Sequence, residues 1–127
     1  MTPEQSFHHW LKMGNPADIQ RIETSTASGI PDTNWCYNGQ EVWVELKICS
    51  PKMGVLLRKE QYAWGMRRSN HDGKVFVLAL SGNMLLLYRF PHIQAIPYGK
   101  YLKIVNTMPT LLPKCKEQLL KHLFNQG

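Results

Sequence analysis

The sequence predicts a mixed α/β fold in the order α-β-β-β-α-β-β-α, with a central mixed sheet flanked by helices. Three observations predict it. Asn38-Gly39 lies between two stretches that alternate apolar and polar residues, the pattern of a tight β-hairpin. Two later stretches, KVFVLAL and MLLLYRF, are apolar on nearly every residue, as strands covered on both faces are. Segments near both ends and in the middle carry apolar residues at helical spacing. With 127 residues, one domain spanning 1–127 is expected.

Thr2-Pro3-Glu4-Gln5 opens the first helix. Thr2 can cap it, Pro3 suits the first helical position and Gln5 completes a capping box. Phe7, Trp10 and Leu11 follow on one face, and Gly14-Asn15-Pro16 ends the helix. DIQRIET reads as a short first strand and STASGIP as a loop of small residues. The hairpin comes next, and its second strand, EVWVELKI, puts Val42, Val44, Leu46 and Ile48 on one face. Ser50 to Gly54 breaks the chain, and a helix is expected from about Leu56 to Arg68. The two apolar strands follow, joined by Ser81-Gly82-Asn83. The stretch from Pro91 to Pro113 holds four prolines and shows no clear period. The end, KCKEQLLKHLFNQ, is an amphipathic helix with Leu119, Leu120, Leu123 and Phe124 inward.

Composition narrows the function classes. An apolar share of 43% excludes a disordered chain. Lysine and arginine number 15 against 9 acids, a formal net charge of +6. That balance favours a polyanionic partner, nucleic acid foremost. Cys36, Cys49 and Cys115 have neither metal-ligand nor redox spacing and read as free thiols of a reducing compartment. His8, His9, His71, His92 and His122 show no ligand spacing either, and read as surface or packing residues. The N-terminus has no apolar leader core, and no apolar run is long enough to cross a bilayer. The protein is therefore expected to be soluble and intracellular.

The hairpin register bears on chemistry. A two-residue Asn38-Gly39 loop pairs Tyr37 with Gln40, then Cys36 with Glu41, Trp35 with Val42, Asn34 with Trp43 and Thr33 with Val44. The next pair is Asp32 opposite Glu45, which places their Cβ atoms about 4.5–5.5 Å apart on one face. Lys47 lies on that face too, about 6–7 Å farther along the strand. Opposed carboxylates destabilise a sheet, so something must offset their repulsion. A divalent cation would, and oxygen donors suit Mg²⁺ or Mn²⁺ better than Zn²⁺. A solvated face with a plain Glu–Lys pair is the alternative. Trp43 shares the face of Glu45, and is expected either in the core beneath the first helix or as a wall of the site.

Pro31-Asp32, twelve residues, then Glu45-Leu46-Lys47 resembles the PD-(D/E)xK nuclease superfamily. SGIPD and WVELK, followed by a helix carrying QYAW, look most like the small phage and bacterial members of its VRR-NUC group. The resemblance covers roughly Glu4 to Leu80. It implies a restriction-endonuclease-like core of α-β-β-β-α-β, here with an extra strand and a C-terminal helix. It also implies that Asp32 and Glu45 ligate Mg²⁺ or Mn²⁺ together with the Leu46 carbonyl. Lys47 would stabilise the phosphate charge and help orient the attacking water. Gln61 matches a family glutamine on the helix after the third strand. Glu23 is favoured as an additional acid over Glu4 of the first helix.

The activity implied is hydrolysis of DNA phosphodiester bonds to a 5′-phosphate and a 3′-hydroxyl. By analogy with the family, a minimal core without a separate reading domain points to structure-selective cutting of branched or Holliday-junction DNA. If junctions are the substrate, their near two-fold symmetry and two cuts call for a homodimer, and the resemblance implies the cytoplasm of a bacterial or phage-infected cell. A nicking or exonucleolytic enzyme of this fold, and a catalytically silent nucleic-acid-binding module, are the other readings. Ser28, Gly29, Lys52, Arg58, Lys59, Arg67 and Arg68 are candidate nucleic-acid contacts, with Gly29 expected to permit a tight turn or a close approach by the substrate.

Overall fold

The computed structural model describes residues 1–22, 28–105 and 109–124. Helix α1 spans Pro3–Lys12 and opens with the predicted capping box between Thr2 and Gln5. Strands β1 (Asp18–Arg21), β2 (Thr33–Tyr37) and β3 (Gln40–Ile48) follow. Then come β4 (Leu56–Arg58), α2 (Lys59–Asn70), β5 (Val75–Ser81) and β6 (Met84–Arg89). The chain closes with β7 (Ala95–Tyr98), β8 (Tyr101–Ile104), β9 (Thr110–Pro113) and α3 (Lys116–Phe124).

The main sheet runs β1-β2-β3-β5-β6-β9. All its neighbours are antiparallel except β3 and β5, which are parallel. A parallel pair needs a crossover, and β4 with α2 provides it. A second, three-stranded sheet runs β4-β8-β7. Phe7 and Leu11 of α1 and Leu119 and Leu123 of α3 pack with Trp35, Val42, Val44 and Phe76 on one face of the main sheet. Trp64 of α2 and Leu57 and Ile104 of the small sheet pack with Val75, Val77 and Ala79 on the other. This is the restriction-endonuclease-like architecture that the sequence predicts.

The hairpin register is the predicted one, from Tyr37 opposite Gln40 to Thr33 opposite Val44. Asn38 and Gly39 have φ of 51° and 77°, the two positive values of a type I′ turn. Strand β5 is buried from Val75 to Ala79, as a strand covered on both faces should be.

Two expectations are corrected, and one stretch that the sequence left unread takes shape. The central helix starts at Lys59, not Leu56, because Leu56–Arg58 pairs with β8 instead. The Gln61 side chain also accepts the Arg58 N–H at 2.8 Å, which sets the helix boundary there. The proline-rich stretch, which shows no clear period in the sequence, forms β7, β8 and β9. Its prolines fall where a missing N–H costs nothing, since β7 and β9 are edge strands carrying Pro97 and Pro113. Trp43 does not lie beneath α1; its ring packs edge-on against Trp64 of α2 at 5.4 Å. The three cysteines are free and half-buried. Among the described residues, no helix is long and apolar enough to cross a membrane.

Candidate active site

The site forms where β2 stops and β3 continues. Along β3, Trp43 and Cys49 give their N–H groups to Lys74 and Leu80 on the β5 side. Val44 and Leu46 therefore point their main-chain groups toward β2. The β2 ladder ends at Thr33–Val44, so nothing in the sheet pairs with Leu46 on that edge. Asp32 takes the place of a strand residue: its Oδ1 accepts the Leu46 N–H at 3.0 Å. The Leu46 carbonyl points to the same edge, beside the Asp32 carboxyl.

Glu45 projects to the α2 side and is only 7% exposed. Its Oε1 accepts the Asp32 N–H at 3.2 Å, and its Oε2 accepts Gln61 Nε2 at 2.9 Å. Lys47 Nζ lies 3.7 Å from Glu45 Oε2 and donates to Gln61 Oε1 at 3.1 Å. Gln61 thus bridges the acid and the base, with its amide orientation set by both. Its Oε1 also takes the Arg58 N–H, so one oxygen anchors the lysine and the start of α2.

Burial is the main cause that raises both carboxyls. Glu45 is pushed from 4.5 up to about 7, by burial first, then by the Asp32 charge, and against the pull of Lys47. Asp32 is also raised by burial, with the Leu46 N–H and the Lys47 charge opposing.

A cavity of about 200 Å³ opens on the α1 side, lined by Thr2, Glu4, Gln5, His8, Arg21, Asp32 and Leu46. His8 is expected from the sequence at the surface or in packing, and Arg21 carries no sequence signal of a role. Glu4 and His8 are four apart, hence on one face of α1, and that spacing was the available signal. Burial and the charges of Arg21 and Lys12 lower the His8 pKa. Glu23, the favoured extra acid, lies outside the described residues.

Oxygen donors of this kind would suit a hard divalent cation. Among the described residues, no three of His, Cys, Asp and Glu cluster tightly enough to hold an ion by themselves. Two carboxylates and one main-chain carbonyl leave positions for water, which is how Mg²⁺ is usually bound.

The basic candidates divide into two groups. Arg58 and Lys59 begin α2 beside Gln61, and the exposed Lys52 sits in the turn before β4. Arg67 and Arg68 lie at the far end of α2, about 9–11 Å along its axis from Gln61. Arg68 stacks over Trp64 and Trp43, with its guanidinium 5.3 and 5.7 Å from the ring centroids. Ser28 is exposed. Gly29 is buried with φ +76°, and a Cβ there would overlap the Glu60 carbonyl. The close approach that this glycine permits is by the first turn of α2, not by a substrate.

No family model matches the chain, and no curated protein matches it. Among solved structures, the chain is similar to Hjc, a Holliday junction resolvase from the archaeal hyperthermophile Archaeoglobus fulgidus. The TM-score is 0.55 at 9% identity, over 82% of this chain and 88% of that one. At that identity the likeness is one of fold.

Proposed function

We propose that the chain is a Mg²⁺- or Mn²⁺-dependent deoxyribonuclease of the PD-(D/E)xK type that cuts branched DNA, four-way junctions included. One observation carries the reading. Asp32, Glu45, Lys47 and Gln61 are linked by short polar contacts at the open end of β2. The fold shared with a junction resolvase supports the choice of substrate.

Asp32, Glu45 and the Leu46 carbonyl would hold the ion, with Glu4 or Glu23 as a further acid. When bound, the ion supplies positive charge at the phosphate and a water of lowered pKa. Lys47 holds its ammonium beside the same acids, where it balances charge developing on the phosphate oxygens. Gln61 keeps the lysine from collapsing fully onto Glu45 and is the positioning residue of the set. Lys52, Arg58, Lys59 and Ser28 would contact phosphates around the cut, and Arg67 and Arg68 phosphates farther along the strand.

A four-way junction is nearly two-fold symmetric and needs two cuts, so the acting species is a homodimer. The test is to incubate the protein with linear duplex, single-stranded, flap and four-way-junction DNA, with Mg²⁺ and with Mn²⁺, and to map the cuts. Metal-dependent cleavage concentrated at the branch is expected, with a dimer in light scattering in the presence of junction DNA. Failure to cut any of these substrates would refute the enzyme. Cutting by a strict monomer would leave a nicking nuclease.

A further inference from the structure

The small sheet has one face that the core does not use. Leu57 and Ile104 turn inward and are buried. The opposite face carries Leu56, Arg58, Ile96, Tyr98, Tyr101 and Lys103, as the pairing of β4, β8 and β7 requires. Tyr98 and Ile96 are 41% and 49% exposed. Tyr98 and Tyr101 are directly opposed across a two-residue Gly99-Lys100 turn, so both side chains leave the sheet on that face. Each ring carries an ammonium group over one face: Lys100 Nζ lies over Tyr101, 5.5 Å from its centroid, and Lys103 Nζ over Tyr98, 5.7 Å from its centroid.

This face adjoins the reacting centre. A mainly apolar cleft of about 560 Å³ runs from Tyr98 and Tyr101 past Met53 and Leu56 to Lys47. Arg58, paired with Tyr101, gives its N–H to the same Gln61 oxygen that holds Lys47.

We propose that the outer face of the β4-β8-β7 sheet is a stacking platform for unpaired nucleobases of the strand being cut. The inference rests on the nuclease reading and names what that enzyme grips beside the cut phosphate. Charge selects this occupant. Residues 73–116 contain no Asp or Glu, and neither do residues 46–59. An acid-free surface with two aromatic rings and flanking ammonium groups suits a single strand, whose phosphates meet the lysines while its bases stack on the rings. Paired bases keep their faces within the duplex, so the platform favours sites where bases come unpaired, as at a branch point. Two rings provide for two bases.

The experiment measures binding without divalent cations, so that no cutting intervenes and the result does not depend on catalysis. Binding of the full chain to a fluorescent oligothymidylate and to a blunt duplex is followed by anisotropy. Tyr98→Ala and Tyr101→Ala should each weaken single-strand binding roughly 5- to 100-fold and leave duplex binding near wild type. Tyr98→Phe should bind as wild type, because stacking uses the ring and not the hydroxyl. Lys103→Ala should lower the slope of log affinity against log salt by about 0.7. A thermal melt of each variant keeps folding separate, and the exposed Tyr98 is the safer site. Unchanged single-strand binding in a folded Tyr98→Ala protein would overturn the platform. So would equal losses on duplex and single strand. A Tyr98→Ala protein that loses only self-association would assign the face to a second copy of this chain and also overturn the proposal. Absence of cleavage by a wild-type protein that still shows this tyrosine-dependent binding would reject the nuclease alone.

Discussion

Glutamine in place of Glu45 should make the metal-free protein more stable at pH 8 and less stable, by about 1–2 kcal/mol, at pH 4. Glu45 is raised from 4.5 to about 7, so between those values the folded protein keeps a proton that the unfolded chain has released. The stability tied to this group is complete below pH 4.5 and is lost as the pH rises through 7. That interval corresponds to about 3 kcal/mol. Glutamine cannot ionise and so escapes the loss. It offers one acceptor oxygen where the carboxylate offers two, to the Asp32 N–H and to Gln61 Nε2. The missing bond costs about 1–2 kcal/mol. The net gain at pH 8 is about 1–2 kcal/mol, a rise in melting temperature of roughly 3–10 °C for a chain of this size. Calorimetric melts in EDTA from pH 4 to pH 8 measure it. In a second arm, Mg²⁺ should raise the melting temperature of wild type and not that of Glu45→Gln, since only an ion that binds the folded state stabilises it. If the two proteins show parallel pH profiles in EDTA, or the variant melts lower at pH 8, the claim that Glu45 ionises under strain is wrong.

Two further substitutions probe other parts of the site. Lys47→Ala should abolish cleavage yet keep Mn²⁺ binding in titration calorimetry, because its ammonium acts on the phosphate and not on the ion; a matching loss of Mn²⁺ affinity would contradict that role. Gly29→Ala should destabilise the protein by about 2–4 kcal/mol in urea unfolding, from a positive φ and an overlap with the Glu60 carbonyl. A midpoint equal to wild type would show that the loop does not rest on α2.

What could be read from the sequence was local, and what could not was long-range. The hairpin came out residue by residue, because a two-residue loop at Asn38-Gly39 allows one register. That register also predicts Asp32 opposite Glu45 as the next pair; the ladder ends one pair earlier, and Asp32 instead meets Glu45 through its N–H and Leu46 through its carboxyl. Leu56 to Arg58 continue the apolar spacing of the helix that follows. Only β8, more than forty residues downstream, draws them into a strand, and periodicity cannot see such a partner. The four-residue strands β7 and β9 are too short for alternation to stand out, and their prolines argue against strand until they fall on edges. The cavity that joins Glu4 and His8 to Asp32 depends on how α1 crosses the end of the main sheet. No spacing within α1 specifies that crossing. Gly29 was legible as a special position, but its partner Glu60 was not.

The shared oxygen of Gln61 ties chemistry to the most fragile part of a helix. First turns open at a small fraction of the free energy needed to unfold a whole protein. Each such opening of α2 would withdraw Gln61 and, with it, the tether on Lys47. If the chain is the nuclease proposed above, the protein would then switch off in brief, reversible intervals while its fold stays intact. Its turnover should decline with warming well before any melt begins. Whatever steadies that one turn, bound DNA included, would set the upper temperature at which it works.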